Sequence, residues 1–397
     1  MSKEAVKLHR QPHVQSVLAC VWRTLVGLGV AYLFAVLLIL TPLIQTLVLY
    51  ATHIDTVGYS KFEHPEHYGL APGKTVNLAL NSTDNTTLGA WFMFSDKLYR
   101  ELPHPHLKTH LHTCRSLRTT HQSIQEAAME HIPGALRRAR TILFLHGNSG
   151  TRAHHLRTQI YSSLTARLGV NVFAIDYRGF GESTGRPSVK GVGEDARAGF
   201  DYLVQHGADP EDILIVGHSL GTAIAGLLAA NLGRDNVKFR GVVLMSPFSS
   251  VRTLMDQYHL FGFLPLLKPL TKIPFMPLVV TWSVKHNFDT LTLVPDIKSP
   301  VLVAHAEDDW DIPHSHASTL FDAFIENRFN NGTAPGYAHL GSATHISGYG
   351  VLEQVGEGKR RVALLKTERG GHHIGNVEGV QDTIGRLFDL YTVHDST

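Results

Sequence analysis

Ile213-Leu-Ile-Val-Gly217-His-Ser219-Leu-Gly221-Thr222 is the stretch on which the reading of this chain turns. Four apolar residues make a run of strand length, and Thr222–Leu232 continues with helical character. Between them stands Gly-x-Ser-x-Gly. Glycines at 217 and 221 allow a sharp strand-to-helix turn, so Ser219 is expected to stand at the top of a sheet with its hydroxyl exposed. The N–H of Leu220, at the helix start, is expected to point where a substrate carbonyl oxygen would become negative.

Working outward, apolar runs of strand length recur at Thr141–Leu145, Asn171–Ile175, Gly241–Met245, Val301–Ala304 and Val362–Leu365. Helical segments at Thr158–Leu168 and Val192–Val204 lie between several of them. Such alternation predicts a parallel sheet covered on both faces, an α/β architecture. Thr75–Leu80 and Thr87–Phe94 alternate apolar and polar residues around Asn81–Asn85 and predict an opening antiparallel hairpin. Between 248 and 298 the alternation lapses into an apolar, proline-studded segment, read as a cap over the strand ends. Phe261 and Phe263 are its candidates for lining a substrate site. Residues 101–140 read as an exposed insertion. His110-x-His112-x-Cys114 fits no closed zinc pattern, so no metal and no cofactor is called for.

A serine needs a base and a group to orient that base. Along such chains the order is Ser, then acid, then His. Val301–Ala304 runs into His305-Ala-Glu-Asp-Asp309-Trp-Asp-Ile-Pro313, whose four acidic residues stand where the acid belongs. The last apolar strand leads into Gly370-Gly-His372-His373, which fits the base and leaves two histidines to choose between. Thr141–Leu145 leads into His146-Gly-Asn148-Ser-Gly150, where the N–H of Asn148 is the candidate second oxyanion donor. Arg152, near a helix start, is a candidate for holding an anionic headgroup.

From Thr24 to Ala51 there is no charged residue, enough for a spanning helix even if Pro42 bends or ends it. Residues 1–23 are read as an N-terminal tail, 24–50 as a signal anchor, 51–74 as a linker and 75–397 as the catalytic domain. Lys3, Lys7, Arg10 and Arg23 precede the span, whereas only Lys61 appears in the twenty residues after it. The bias puts the N-terminus in the cytosol and the rest across the membrane. Sequons at Asn81, Asn85 and Asn331 then fall on the side where glycans are added. A net charge of +2 argues against a nucleic-acid partner. Two cysteines, Cys20 and Cys114, cannot form a disulfide scaffold.

The motifs His146-Gly-Asn-Ser-Gly-Thr-Arg152, Asp176-Tyr-Arg-Gly-Phe-Gly-Glu-Ser183, Gly217-His-Ser-Leu-Gly-Thr222, Ser246-Pro-Phe-Ser249 and His305-Ala-Glu-Asp-Asp309 resemble the α/β-hydrolase-domain lipases. Within these the chain is most similar to the single-span enzymes that hydrolyse lysophosphatidylserine and monoacylglycerol. The resemblance covers about residues 75–390. It implies the α/β-hydrolase fold, Ser219 as nucleophile, Asp309 as triad acid, His372 as base, and Asn148 and Leu220 as oxyanion donors. It also implies a membrane enzyme of the endoplasmic reticulum with a lumenal catalytic domain, acting on lipid acyl esters. A thioesterase acting on S-acylated proteins, a peptidase and a non-catalytic scaffold are the competing expectations. The Leu102–His131 and Asn330–Tyr349 stretches depart from the pattern.

Overall fold

The computed structural model describes residues 12–52, 60–102, 121–257, 259–260, 264–265, 274–275, 282–329 and 341–391. The chain falls into two compact units, Met1–Gln45 with Tyr258–Lys285, and Thr46–Gln257 with His286–Thr397.

Along the chain the strands are β1 (Thr75–Asn81), β2 (Thr87–Met93), β3 (Thr141–Leu145), β4 (Asn171–Ile175), β5 (Ile213–His218), β6 (Gly241–Met245), β7 (His259–Leu260), β8 (Leu264–Pro265), β9 (Val301–Ala306), β10 (Gly341–Ile346), β11 (Gly350–Val355) and β12 (Val362–Thr367). Among the described residues all except the β7–β8 pair join one ten-stranded sheet of order β1-β2-β4-β3-β5-β6-β9-β12-β11-β10. The six strands from β4 across to β12 pair parallel. Helices cover both of their faces, which is why these strands read as near-continuous apolar runs rather than as alternation. Ile142, Phe144, Leu214, Val216, Val243 and Leu302 share a core cluster with Ile160 and Leu164 of helix His155–Arg167 and with Val380 and Ile384 of helix Glu378–Leu387. On the other face, helix Val189–Gln205 brings Gly199 against Leu143 and Ile175.

The sheet closes with antiparallel pairs at both edges. β1 and β2 form the opening hairpin, Thr75 opposite Met93. At the far edge β10 and β11 form a second hairpin from part of the stretch that departs from the family pattern; the side chains along β10 are exposed. Register aligns the parallel strands. Leu145 stands opposite Gly217, His218 opposite Met245, and Ala304 opposite both Met245 and Leu365. The loops that follow β3, β5, β6, β9 and β12 therefore leave the sheet at one common edge, the carboxyl edge where such sheets carry their sites.

In the other unit, helix Pro12–Ile39 contains Ser16–Leu38, 23 residues of mean hydropathy 1.9. Among the described residues it is the one helix long and apolar enough to cross a membrane. It begins earlier than the charge-free stretch and takes in Arg23. Proline ends it, because Pro42 has no N–H to extend the ladder. A new helix, Pro42–Tyr50, opens with that proline at its first position, and Thr41 Oγ1 accepts the Ile44 N–H at 3.4 Å. Gln45 then donates through Nε2 to the Ser283 carbonyl and accepts the Lys285 N–H through Oε1, both at 2.8 Å. Phe261, Phe263 and Asn331 lie outside the described residues.

Candidate active site

Ser219 stands between β5 and helix Leu220–Arg234 with φ 53° and ψ −120°, left-handed backbone that a serine seldom adopts. Holding it costs on the order of 1–3 kcal/mol. The surroundings enforce it: a Cβ at Gly217 would lie 2.3 Å from the Gly221 carbonyl oxygen, and one at Gly221 would lie 2.0 Å from that of Leu145. Only glycines fit the elbow at those two positions. The Ser219 N–H donates to Met245 O at 3.0 Å, and its own carbonyl accepts Thr222 Oγ1 at 2.6 Å. Leu220, the first helical residue, has an N–H without an intrahelical acceptor.

His372 and Asp309 meet across the loops after β12 and β9. The His372 Nδ1–H donates to Asp309 Oδ2 at 2.9 Å, so in the neutral imidazole Nε2 is the nitrogen with a free lone pair. Asp309 is fully buried along its side chain. Its Oδ1 accepts the N–H groups of Asp311 at 2.9 Å and Ile312 at 3.0 Å, and its Oδ2 also accepts His305 Nε2 at 3.0 Å. Burial pushes the carboxyl up, but the hydrogen bonds from His305 and His372 outweigh it and hold the pKa well below the usual range. The backbone at 372 is pinned too. Its carbonyl accepts His218 Nε2 at 2.8 Å and Ser246 Oγ at 2.9 Å. The His218 and His372 rings lie 5.0 Å apart, which brings His372 beside the elbow. Among the described residues Ser219 Oγ makes no hydrogen bond; the Ser–His contact often tightens only when substrate seats.

The neighbouring candidates are separated by geometry. Asp308 makes no hydrogen bond to His372 among the described residues; it accepts the Gly371 N–H through Oδ1 at 2.7 Å, fixing the turn that precedes His372. Asp311 is exposed. His373 stacks on His218 at 5.2 Å and makes no hydrogen bond to Asp309 among the described residues. Asp309, Asp311 and His372 have ligand atoms within 4.8 Å of one another. A cation held there would have to displace the hydrogen bonds that Asp309 already accepts, so the arrangement fits proton chemistry better than metal binding. His305 is the contact that the residues alone did not announce. It is the fourth residue before Asp309, at the buried end of β9, and its role shows only once Asp309 is seen to need a second donor.

On the other side of the elbow, Gly147 presses against Ser219: a Cβ there would lie 3.1 Å from Ser219 Cβ. That approach brings the Gly147–Asn148 peptide beside Ser219. Arg152 corrects its expectation. The side chain is wholly buried, pairs with Asp176, donates to Glu182 at 2.7 Å and Asn77 at 2.9 Å, and lies 4.1 Å from the Phe62 ring centroid. Both terminal nitrogens of the guanidinium are engaged inside the fold and the side chain is wholly buried, so it has no reach to a headgroup. Asn81 and Asn85 are exposed at the β1–β2 turn.

Two buried histidines near the site are held neutral. Burial, then His372, pushes the His218 imidazole well below its ordinary value. Burial, then His305, takes His316 down to about 4, while its Nδ1 accepts the Ser249 N–H at 3.3 Å. The unfolded chain takes up these protons below about pH 6.5, whereas the folded chain refuses them. Stability from these groups is therefore complete above pH 6.5 and falls as pH drops toward 4, by about 1.4 kcal/mol per pH unit for each. Asp309, whose folded pKa is depressed, acts only in more acidic solution and leaves this window alone. Urea unfolding is expected at a lower midpoint at pH 5.5 than at pH 7.5; equal midpoints would contradict neutral burial.

The sequence pattern of the Alpha/beta hydrolase family matches residues 142–381. Lysophosphatidylserine lipase ABHD12 of Danio rerio is 27% identical over 305 residues, 77% of this chain and 72% of that protein. Its Xenopus tropicalis counterpart is 29% identical over 298 residues, 75% and 69%. Among solved structures, an alpha-beta hydrolase from Vibrio vulnificus superposes with a TM-score of 0.56 at 17% identity, covering 87% of this chain and 94% of that one. The Pyrococcus furiosus esterase PF2001 gives 0.50 at 16% identity, covering 84% and 96%. At those identities the two structures speak for the fold alone.

Proposed function

The chain belongs to the alpha/beta hydrolase family, and from that premise we propose that it is a membrane-anchored serine hydrolase cleaving acyl esters of lysophospholipids or monoacylglycerols. One observation carries the reading: the His372–Asp309 hydrogen bond is formed beside a serine held in strained backbone at the same sheet edge. His372 Nε2 takes the Ser219 proton as Oγ attacks the ester carbonyl. The N–H groups of Leu220 and Asn148 receive the oxyanion, each worth roughly 10²–10³ in rate. The tetrahedral intermediate then collapses, the C–O bond to the glycerol breaks, and His372 returns the proton to the departing alkoxide. Water repeats the attack on the acyl-enzyme and releases the fatty acid. The lipid class is supported by the names of the relatives and by the long apolar helix.

The test is fatty-acid release by the full-length protein in detergent from 1-acyl lysophosphatidylserine, other lysophospholipids, monoacylglycerol, triacylglycerol and an S-acylated peptide. Single-chain glycerol esters are expected to turn over fastest. Release from the S-acylated peptide alone would move the function to a thioesterase, and no release from any ester would sink the reading.

For topology, the N-terminus lies in the cytosol and the catalytic unit in the lumen of the endoplasmic reticulum. Lys3, Lys7 and Arg10 before the helix and exposed sequons at Asn81 and Asn85 support this orientation. Endoglycosidase is expected to shift the membrane-bound protein on a gel, and replacing both asparagines with glutamine to remove most of that shift. A catalytic unit digested by protease added outside sealed microsomes would reverse the orientation.

A further inference from the structure

The loop that carries Asn148 is gripped from two sides by groups that touch no substrate. Arg157, on helix His155–Arg167, is 7% exposed and spends its guanidinium on carbonyl oxygens of this loop. Nη1 donates to Thr151 O at 2.8 Å, and Nη2 donates to Gly147 O at 3.2 Å, Asn148 O at 3.0 Å and Ser149 O at 2.6 Å. His146 Nδ1 faces Gly147 O as well, at 2.7 Å. Within a trans peptide the C=O and the N–H point in opposite directions. Drawing the Gly147 carbonyl toward Arg157 therefore aims the Asn148 N–H the other way, out of the arginine's side of the loop.

The second grip acts on the next peptide. Its carbonyl, Asn148 O, is on Arg157, and its N–H, that of Ser149, donates to Tyr50 O at 2.9 Å. Tyr50 ends the helix Pro42–Tyr50, where carbonyl groups lack intrahelical donors, so this oxygen is free to accept. The ring fixes it in place: Tyr50 has no exposed surface and meets His286 at 5.0 Å, Phe288 at 6.3 Å and Phe180 at 6.4 Å, all edge-on. Thr46, one turn earlier, lies 2.7 Å from His286 Nε2 through its hydroxyl. The loop would not hold this shape alone, since Ser149 and Gly150 both carry left-handed backbone, φ 60° and 61°.

We propose that Arg157 and the Tyr50 carbonyl are positioning elements that preset the Asn148 N–H as an oxyanion donor. The segment just after the apolar helix is thereby a working part of the oxyanion hole. The inference rests on the serine-hydrolase reading. Arg157 adds a second effect through the same contacts. A cation on the carbonyl side polarises those peptides, which strengthens the N–H as a donor to negative charge. A group that acts on the transition state alone changes kcat and leaves KM, whereas a loop staple of no catalytic consequence changes neither once the protein is folded.

The experiment uses full-length protein in detergent with a monoacylglycerol substrate and a trifluoromethyl ketone, which adds to the serine and forms an oxyanion. Arg157→Lys, whose single ammonium cannot serve four carbonyls, is expected to lower kcat about 10–100-fold, short of or equal to the loss of one donor. KM should stay within about twofold, and ketone inhibition should weaken by the same factor as kcat/KM falls. Tyr50→Ala should act in the same sense, while Tyr50→Phe keeps ring and carbonyl and should keep activity. If either variant loses its cooperative unfolding transition, amide exchange in the unsubstituted protein decides. Ser149 N–H should exchange slowly throughout, and Asn148 N–H rapidly until the ketone binds. A folded Arg157→Lys with kcat within twofold, or an Asn148 N–H unaffected by the ketone, overturns the inference while wild-type hydrolysis stands. Absence of hydrolysis in the wild type would instead remove the underlying reading.

Discussion

Ser219→Ala is expected to abolish labelling by a fluorophosphonate probe and to lower kcat for ester hydrolysis by about 10⁵–10⁶-fold, the scale seen when a serine-triad nucleophile is removed. Folding should survive. The hydroxyl makes no hydrogen bond among the described residues, so its removal strands no buried partner, and alanine accepts the same backbone as poorly as serine does. The unfolding midpoint should move by less than the equivalent of about 1 kcal/mol. The two readouts together discriminate. Lost activity with a lost unfolding transition would say nothing of catalysis, whereas a folded variant with undiminished turnover would remove Ser219 from the mechanism.

The second large effect separates two adjacent histidines. His372→Ala removes the Nδ1–H that Asp309 accepts and the Nε2 that would take the serine proton, and it should cost kcat about 10⁴–10⁶-fold. The backbone carbonyl at 372 remains in the variant, so the contacts with His218 and Ser246 need not be lost. His373→Ala removes a ring stacked on His218 and leaves the Asp309 contact untouched, so kcat should stay within about tenfold of the wild type. Matched kinetics of the two variants, with fluorophosphonate labelling as a check, read this directly. A severe loss at 373 with a mild one at 372 would transfer the role of base. Mild losses at both would mean that Asp309 orients something other than the catalytic base.

Much of this was legible in the residues because it depends on local chemistry. The elbow needs glycine at 217 and 221 wherever it occurs, and parallel strands buried on both faces must be apolar throughout. Strand ends with acid and histidine in the right order then narrow the site to a few positions. What the residues could not choose among are neighbours whose roles depend on how a turn is made. Asp308 and Asp309 are chemically identical; one accepts Gly371 N–H and the other faces His372, and only the path of the loop decides which. The burial of Arg152 is hidden in the sequence for a related reason. A helix-start arginine looks outward in sequence, but Asp176 and Glu182 lie 24 and 30 residues downstream and draw it inside. Arg157 left no signal at all, since its acceptors are main-chain carbonyls, which every residue possesses.

The parallel sheet brings together residues that lie far apart in the chain. Asp309 and His372 are 63 residues apart, and His218 and His372 are 154 apart. Closing loops of that length costs chain entropy before any contact returns stability, and parallel pairing of distant strands is slow for the same reason. The last of these strands to leave the ribosome is β12, with the histidine behind it. A growing chain that already displays the elbow and Asp309 has no His372 beside them until β12 docks against β9. In that order of synthesis the contact between Asp309 and His372 forms only together with the completed parallel sheet.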